Sequence, residues 1–186
     1  MTNFRLKKET TGLLLIDVQE KVFRVVDRPC EVMNTIRKAV QGFQMMHLPI
    51  IATEQYPKGL GGTVEPLKEL LGKEQKFWDK TTFSCMGNPD LKKYLLNLPI
   101  NQWVLAGIEA HVCVLQTAKD LLAANKQVVV LNDAITSRSI YDFSTAIAEL
   151  RDCGARISST EIVLFELMES SMAPEFKQIS ELIKAS

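Results

Sequence analysis

The chain has 186 residues, a length that favours one domain over residues 1–186, and 46% of them are hydrophobic, as a globular core requires. Lys and Arg number 22, Asp and Glu number 22, and the formal net charge is zero, which argues against nucleic acid or an anionic membrane as a partner. Lys7, Lys8 and Glu9 interrupt any signal-peptide core, no apolar run is long enough to span a bilayer, and Cys30, Cys85, Cys113 and Cys153 form no CxxC pair, so a cytoplasmic protein with free thiols is expected.

The predicted elements alternate between strand and helix. Residues 12–16 are a continuous apolar run ending at Asp17 and read as a buried first strand. Over 30–46, Val32, Met33, Ile36, Val40 and Phe43 recur at helical spacing. Residues 49–53 form a second strand, 59–62 a flexible loop, 64–71 a short helix and 76–78 a short third strand. Asn88 reads as an N-cap with Pro89 at the first helical position. A fourth strand at 102–106 ends at Gly107, and a helix covers 110–125. A fifth strand at 127–131 ends at Asn132-Asp133, and the helix over 139–153 stops at Gly154. A sixth strand covers 155–158, and a last helix follows Pro174. This pattern predicts a three-layer α/β/α, doubly wound, mostly parallel six-stranded sheet of Rossmann-like class.

In such sheets ligands bind beyond the carboxyl ends of the strands, where the strand order reverses. Polar residues just after strands are therefore the candidates: Asp17 and Gln19, Glu54 and Gln55, Lys80, residues 109–113, and Asp133. Cys113 falls in the first turn of the helix after strand four, where the partial positive charge of a helix N-terminus favours thiolate and free N–H groups can hold an oxyanion. By position alone Cys113 more often suits a small buried hydrophobe, Asp17 often a turn residue and Lys80 most often a solvated lysine. Cys30, Cys85 and Cys153 read as structural. His111 is two positions from Cys113 and does not face it on a helix, and His47 lies in a turn. Two histidines without an HxxxH pattern predict no metal site, and the absence of GxGxxG after strand one predicts no dinucleotide cofactor.

Four segments together carry a resemblance. Leu13-Leu14-Leu15-Ile16-Asp17-Val18-Gln19, Asp79-Lys80-Thr81-Thr82-Phe83-Ser84, Ala106-Gly107-Ile108-Glu109-Ala110-His111-Val112-Cys113-Val114 and Asn132-Asp133-Ala134-Ile135-Thr136-Ser137-Arg138-Ser139 resemble, in order, motifs of the isochorismatase-like (cysteine) hydrolase superfamily, nearest to its small isochorismatase domain-containing branch. The resemblance implies a Cys113, Asp17 and Lys80 triad and the strand order 3-2-1-4-5-6. It also implies a cis peptide between Ile108 and Glu109, and an oxyanion hole from the backbone N–H groups of Glu109 and Cys113. Related nicotinamidases carry metal-binding histidines after strand two; Thr53-Glu54-Gln55-Tyr56-Pro57-Lys58-Gly59 has none, so no metal and no other cofactor is expected.

The predicted activity is hydrolysis of a small amide, imide or ester-like substrate through a thioester on Cys113. Gln19, Phe23, Trp78 and Phe83 are candidate walls of the pocket. A homo-oligomer is expected from the zero net charge and the apolar 162–168 segment, and by resemblance to the family. The rival readings are a silent interaction protein that keeps the fold and a thiol redox protein using Cys113.

Overall fold

The computed structural model describes residues 4–185; Met1–Asn3, part of the stretch read as no signal peptide, and Ser186 lie outside the described residues. Strand β1 (Thr11–Ile16) is buried along its whole length, as its unbroken apolar run requires. A single turn, α1 (Glu20–Phe23), and the long α2 (Pro29–Met45) lead to β2 (Ile50–Gln55). The expected flexible loop at 59–62 is partly ordered, because Pro57 starts another single turn, α3 (Pro57–Leu60). Then come α4 (Glu65–Leu71), β3 (Phe77–Lys80), α5 (Pro89–Asn97) and β4 (Gln102–Ile108). Asn88 caps α5 as expected, its Oδ1 accepting from the N–H groups of Asp90 and Leu91.

After β4 the chain makes a π-type turn (Ala110–Val114) before settling into α6 (Leu115–Ala123). The elements β5 (Gln127–Thr136), α7 (Ile140–Asp152), β6 (Arg156–Ser158), α8 (Thr160–Met168) and α9 (Phe176–Lys184) complete the chain. All six strands are parallel, in the order β3-β2-β1-β4-β5-β6.

Alternate residues of the sheet feed two cores. Leu13, Leu15, Ala52, Val104 and Val129 pack on one side with Ile36, Val40 and Phe43 of α2 and Leu164 of α8. Leu14, Ile16, Trp103, Leu105 and Val130 pack on the other with Leu95 of α5, Leu121 of α6 and Leu150 of α7. Helices α2 and α8 approach so closely that a Cβ on Gly42 would lie 2.4 Å from Leu164 Cδ2. Most of the apolar 162–168 segment is thus spent inside the chain: Val163, Leu164, Leu167 and Met168 are buried, and only Ile162 and Phe165 are exposed.

Strand β5 runs past its expected end at Asn132-Asp133. Its pairing with β4 shifts register between Leu105 and Gly107, and the irregularity turns Asp133 toward α8. There both Asp133 carboxylate oxygens accept from the N–H of Thr160 at 3.0 Å, so this residue anchors a helix and is not part of the site edge.

Candidate active site

Strands β1 and β4 lie side by side at the centre of the sheet, with Ile16 opposite Gly107, and the chain leaves them toward opposite flanks. That is the switch point where a ligand is expected. Asp17, the first residue past β1, takes a left-handed conformation (φ 53°) that Asp tolerates better than most side chains. Its N–H donates to the Thr53 carbonyl at 3.2 Å, which ties the turn to β2.

The Asp17 carboxylate is held from two sides. Thr53 Oγ1 donates to Oδ1 at 2.7 Å, and Lys80 Nζ donates to Oδ2 at 2.6 Å. Lys80 ends β3, in register with Gln55, and its side chain crosses β2 to reach Asp17. The ammonium also donates to Gln55 Oε1 at 2.7 Å and to the Phe83 carbonyl at 3.0 Å. The Lys80 side chain is 0% exposed, so it is no solvated lysine. Burial alone would lower its pKa; the Asp17 charge overcomes this and raises it, so Lys80 stays an ammonium.

Cys113 sits in the π-type turn and is 5% exposed. It lines the same cavity as Asp17, whose charge acts on its thiol. The expected thiolate is not favoured: burial and the Asp17 charge push the Cys113 pKa well above the ordinary thiol range, and the opposing pull of Lys80 is smaller. The pair is therefore a protonated thiol facing an ion-paired carboxylate. Cys85, read as merely structural, is fully buried beside the same charges; burial and Asp17 raise its pKa to about 11. Its N–H donates to Thr117 Oγ1 at 3.0 Å. Cys30 and Cys153, also read as structural, are exposed free thiols.

The expected cis peptide between Ile108 and Glu109 is absent; the described residues contain no cis bond. The turn is made by dihedral angles, with φ 145° at Gly107 and φ 58°, ψ 62° at Glu109. Only glycine fits at 107, because a Cβ there would lie 2.2 Å from the Ile16 carbonyl oxygen.

A cavity of about 280 Å³ opens over Asp17 and Cys113, walled by Val22, Leu60, Phe83, Ile108 and Val112, with Gln19, Gln55, Glu109 and Arg138 as its other polar lining. Of the expected walls, Phe83 and Gln19 line it. Gln19 is fully buried and its amide is spent on the chain: Nε2 donates to the carbonyls of Gln55 and Gly61, and Oε1 accepts from the Gln55 N–H. It holds Gln55 in place and leaves no donor for a ligand. Phe23 instead lines a separate groove beside α2, because the turn α1 rotates it away. Trp78 stacks on Tyr94 at 4.9 Å and lies under Lys76, its ring facing α5.

Thr53, Val22, Leu60, Val112 and Arg138 went unmarked in the sequence. Of these, Val112 and Arg138 carried a signal, through their places in the third and fourth motif segments. Glu54, a candidate by position, is buried and accepts from Thr63 N–H and Oγ1 at 2.6 and 2.8 Å. His111 does not partner Cys113; its Nδ1 pairs with Ser137 Oγ at 2.9 Å.

The chain is thus a doubly wound α/β protein with a thiol, a carboxylate and an ammonium gathered under a cavity at its switch point. The chain belongs to the isochorismatase family: the Isochorismatase domain model matches residues 11–162. Isochorismatase domain-containing protein 2 of Bos taurus is 38% identical over 97% of this chain and 86% of its own length. Isochorismatase domain-containing protein 1 of Danio rerio is 35% identical over 97% of this chain; the chain spans 63% of that relative's length. Among solved structures, the MAR1 ribonuclease from Caenorhabditis elegans superposes with a TM-score of 0.92 at 38% identity, covering 98% of this chain and 94% of that one. The family is a hydrolase superfamily.

Proposed function

We propose that the protein is a cysteine hydrolase of small amide, imide or ester-like substrates, with Cys113 as nucleophile, Asp17 as proton carrier and Lys80 as its counter-charge. The observation that carries this reading is the cavity at the switch point that Cys113 lines together with Asp17, a carboxylate already held by Lys80 at 2.6 Å. A buried, protonated thiol needs a base beside it, and Asp17 is the carboxylate whose charge acts on this thiol.

In the proposed sequence, Asp17 takes the thiol proton as sulfur bonds to the carbonyl carbon. The backbone N–H groups of Glu109 and Cys113 receive the oxyanion. Collapse breaks the bond to the leaving group, which takes the proton from Asp17, and leaves a thioester on Cys113. Asp17 then takes a proton from water as its oxygen attacks the thioester. The acid leaves, and the proton returns to the Cys113 sulfur. Lys80 offsets the negative charge as it moves between sulfur and carboxylate.

The C. elegans relative is named as a ribonuclease. The apolar walls and the buried ion pair suit a small carbonyl compound better than a polyanionic strand, and RNA serves as a control substrate. A thiol redox role draws support from Cys85, which lies beside the same ion pair. Its complete burial and raised pKa oppose attack on a disulfide, since the thiolate is the reactive form.

The same reading takes the protein as a cytosolic homo-oligomer. Exposed free Cys30 and Cys153 suit a reducing compartment. Among the described residues no helix is long and apolar enough to cross a membrane. Val25, in the turn after α1, and Ile140 and Tyr141, at the start of α7, present apolar surface on segments joined by Asp27 N–H to the Ser137 carbonyl, a surface a second copy would cover.

The test is a screen of small amides, imides and esters with wild type and Cys113→Ala. Turnover by wild type alone supports the proposal; equal turnover by both, or RNA cleavage that survives Cys113→Ala, defeats it.

A further inference from the structure

The triad acts on the scissile carbonyl and leaves unassigned the side chains of Glu109 and Arg138, which also line the cavity. Arg138 follows β5 at the start of the turn into α7, and its side chain is 60% exposed. Its Nε donates to Glu109 Oε1 at 3.1 Å. That bond fixes the guanidinium plane and uses one of its edges. Neither Nη group has a hydrogen-bond partner among the described residues. The opposite Glu109 oxygen lies 3.7 Å from His111 Nε2, and His111 is in turn 3.9 Å from Asp142 Oδ2. Glu109, itself largely buried, thus ties Arg138 to the cavity wall at Nε.

A guanidinium held at Nε leaves its Nη1–Nη2 edge as a planar fork, the geometry that takes a carboxylate through two parallel hydrogen bonds. The rest of the wall is apolar: Val22, Leu60, Phe83, Ile108 and Val112. A ligand that satisfies both regions has a short hydrocarbon body, a reactive carbonyl at one end and a single negative charge at the other. A dianion such as a phosphate monoester is disfavoured, because Glu109 and Asp142 stand close by and only one guanidinium edge is on offer.

We infer that Arg138 is a specificity-determining residue that receives the terminal carboxylate of the substrate, so that the substrates are half-amides or half-esters of short dicarboxylic acids. This rests on the hydrolase reading above for the reacting end, but the carboxylate subsite stands or falls on its own measurement.

Two readouts separate them. The first is calorimetric binding of succinate to Cys113→Ala, with and without Arg138→Gln. Succinate should bind Cys113→Ala, and its Kd should rise roughly tenfold or more when Arg138→Gln is added, with Arg138→Lys restoring only part. No binding of succinate to Cys113→Ala, or equal binding with Arg138→Gln, overturns the subsite. The second is turnover by the wild-type enzyme of succinamate and monomethyl succinate against isocaproamide and methyl isocaproate, in which an isopropyl group replaces the carboxylate. The carboxylates should have kcat/KM roughly tenfold or more above the neutral isosteres, and Arg138→Gln should collapse that ratio through KM. A ratio near one in the wild type overturns the inference. Succinate binding without turnover of any of the four compounds overturns the hydrolase reading and leaves the subsite standing.

Discussion

Lys80 Nζ lies 2.6 Å from Asp17 Oδ2, with both side chains almost wholly out of water, although 63 positions separate them in sequence. This buried pair joins the ends of β1 and β3 across the intervening β2, and it sets the charge that the Cys113 thiol meets.

Removing either partner leaves an uncompensated buried charge. Lys80→Ala should therefore cost about 3–5 kcal/mol of stability as well as turnover. Chemical denaturation of Lys80→Ala and Asp17→Asn measures this. Wild-type stability in Lys80→Ala would mean that the pair is hydrated in solution.

Asp17→Asn should lower kcat by roughly a thousandfold while leaving the thiol in place, and the Asp17→Asn/Cys113→Ala double variant should be scarcely slower than Cys113→Ala. Steady-state kinetics on the best substrate of the screen decides it. Additive losses would show that Asp17 and Cys113 do not act as a unit.

Alkylation should follow exposure and ionisation. Limited iodoacetamide treatment near neutral pH should label Cys30 and Cys153 first, because both are exposed and Cys113 is buried with a raised pKa. The Cys113 rate should keep climbing above the ordinary thiol pKa of about 8.5. Peptide mass spectrometry against pH reads this; a Cys113 rate already at its plateau near pH 7 would mean a resting thiolate.

Stability should fall on the alkaline side. Cys85, with its pKa raised to about 11, and Cys113, raised as well, keep their protons in the folded state while the unfolded chain loses them from about pH 8.5. The unfolded state then binds fewer protons, so the stability present below about pH 8.5 is lost as pH rises toward the folded-state values. Thermal unfolding across this range should show the decline, and Cys85→Ala should make it shallower. A Tm that is flat to pH 11 would contradict the assigned direction.

Much of this was legible in the sequence because the strands of a parallel sheet are unbroken apolar runs: β1 and the cap at Asn88 fall where the pattern puts them. The motif segments named Asp17, Lys80 and Cys113, which the fold brings together. Pattern failed where tertiary contacts decide. Helix α8 is apolar on nearly all sides because α2 and β5 bury it, so no helical stripe marks it. Thr53 is an ordinary strand residue until Asp17 turns toward it. The protonation state of Cys113 depends on its burial and on a carboxylate 96 positions away, neither of which the local sequence displays. Trp78 and Phe23 are near the motifs in sequence, but their backbone positions aim the rings elsewhere.

The central claim is that Cys113 forms a covalent acyl intermediate. Acid quenching of wild type during turnover of the best substrate, followed by intact and peptide mass spectrometry, tests it most directly. The account predicts an added acyl mass on the peptide carrying Cys113, which accumulates in Asp17→Asn only as slowly as that variant turns over, and which is missing from Cys113→Ala. Turnover that persists in Cys113→Ala, with no acyl mass on any cysteine of the wild type, would contradict it.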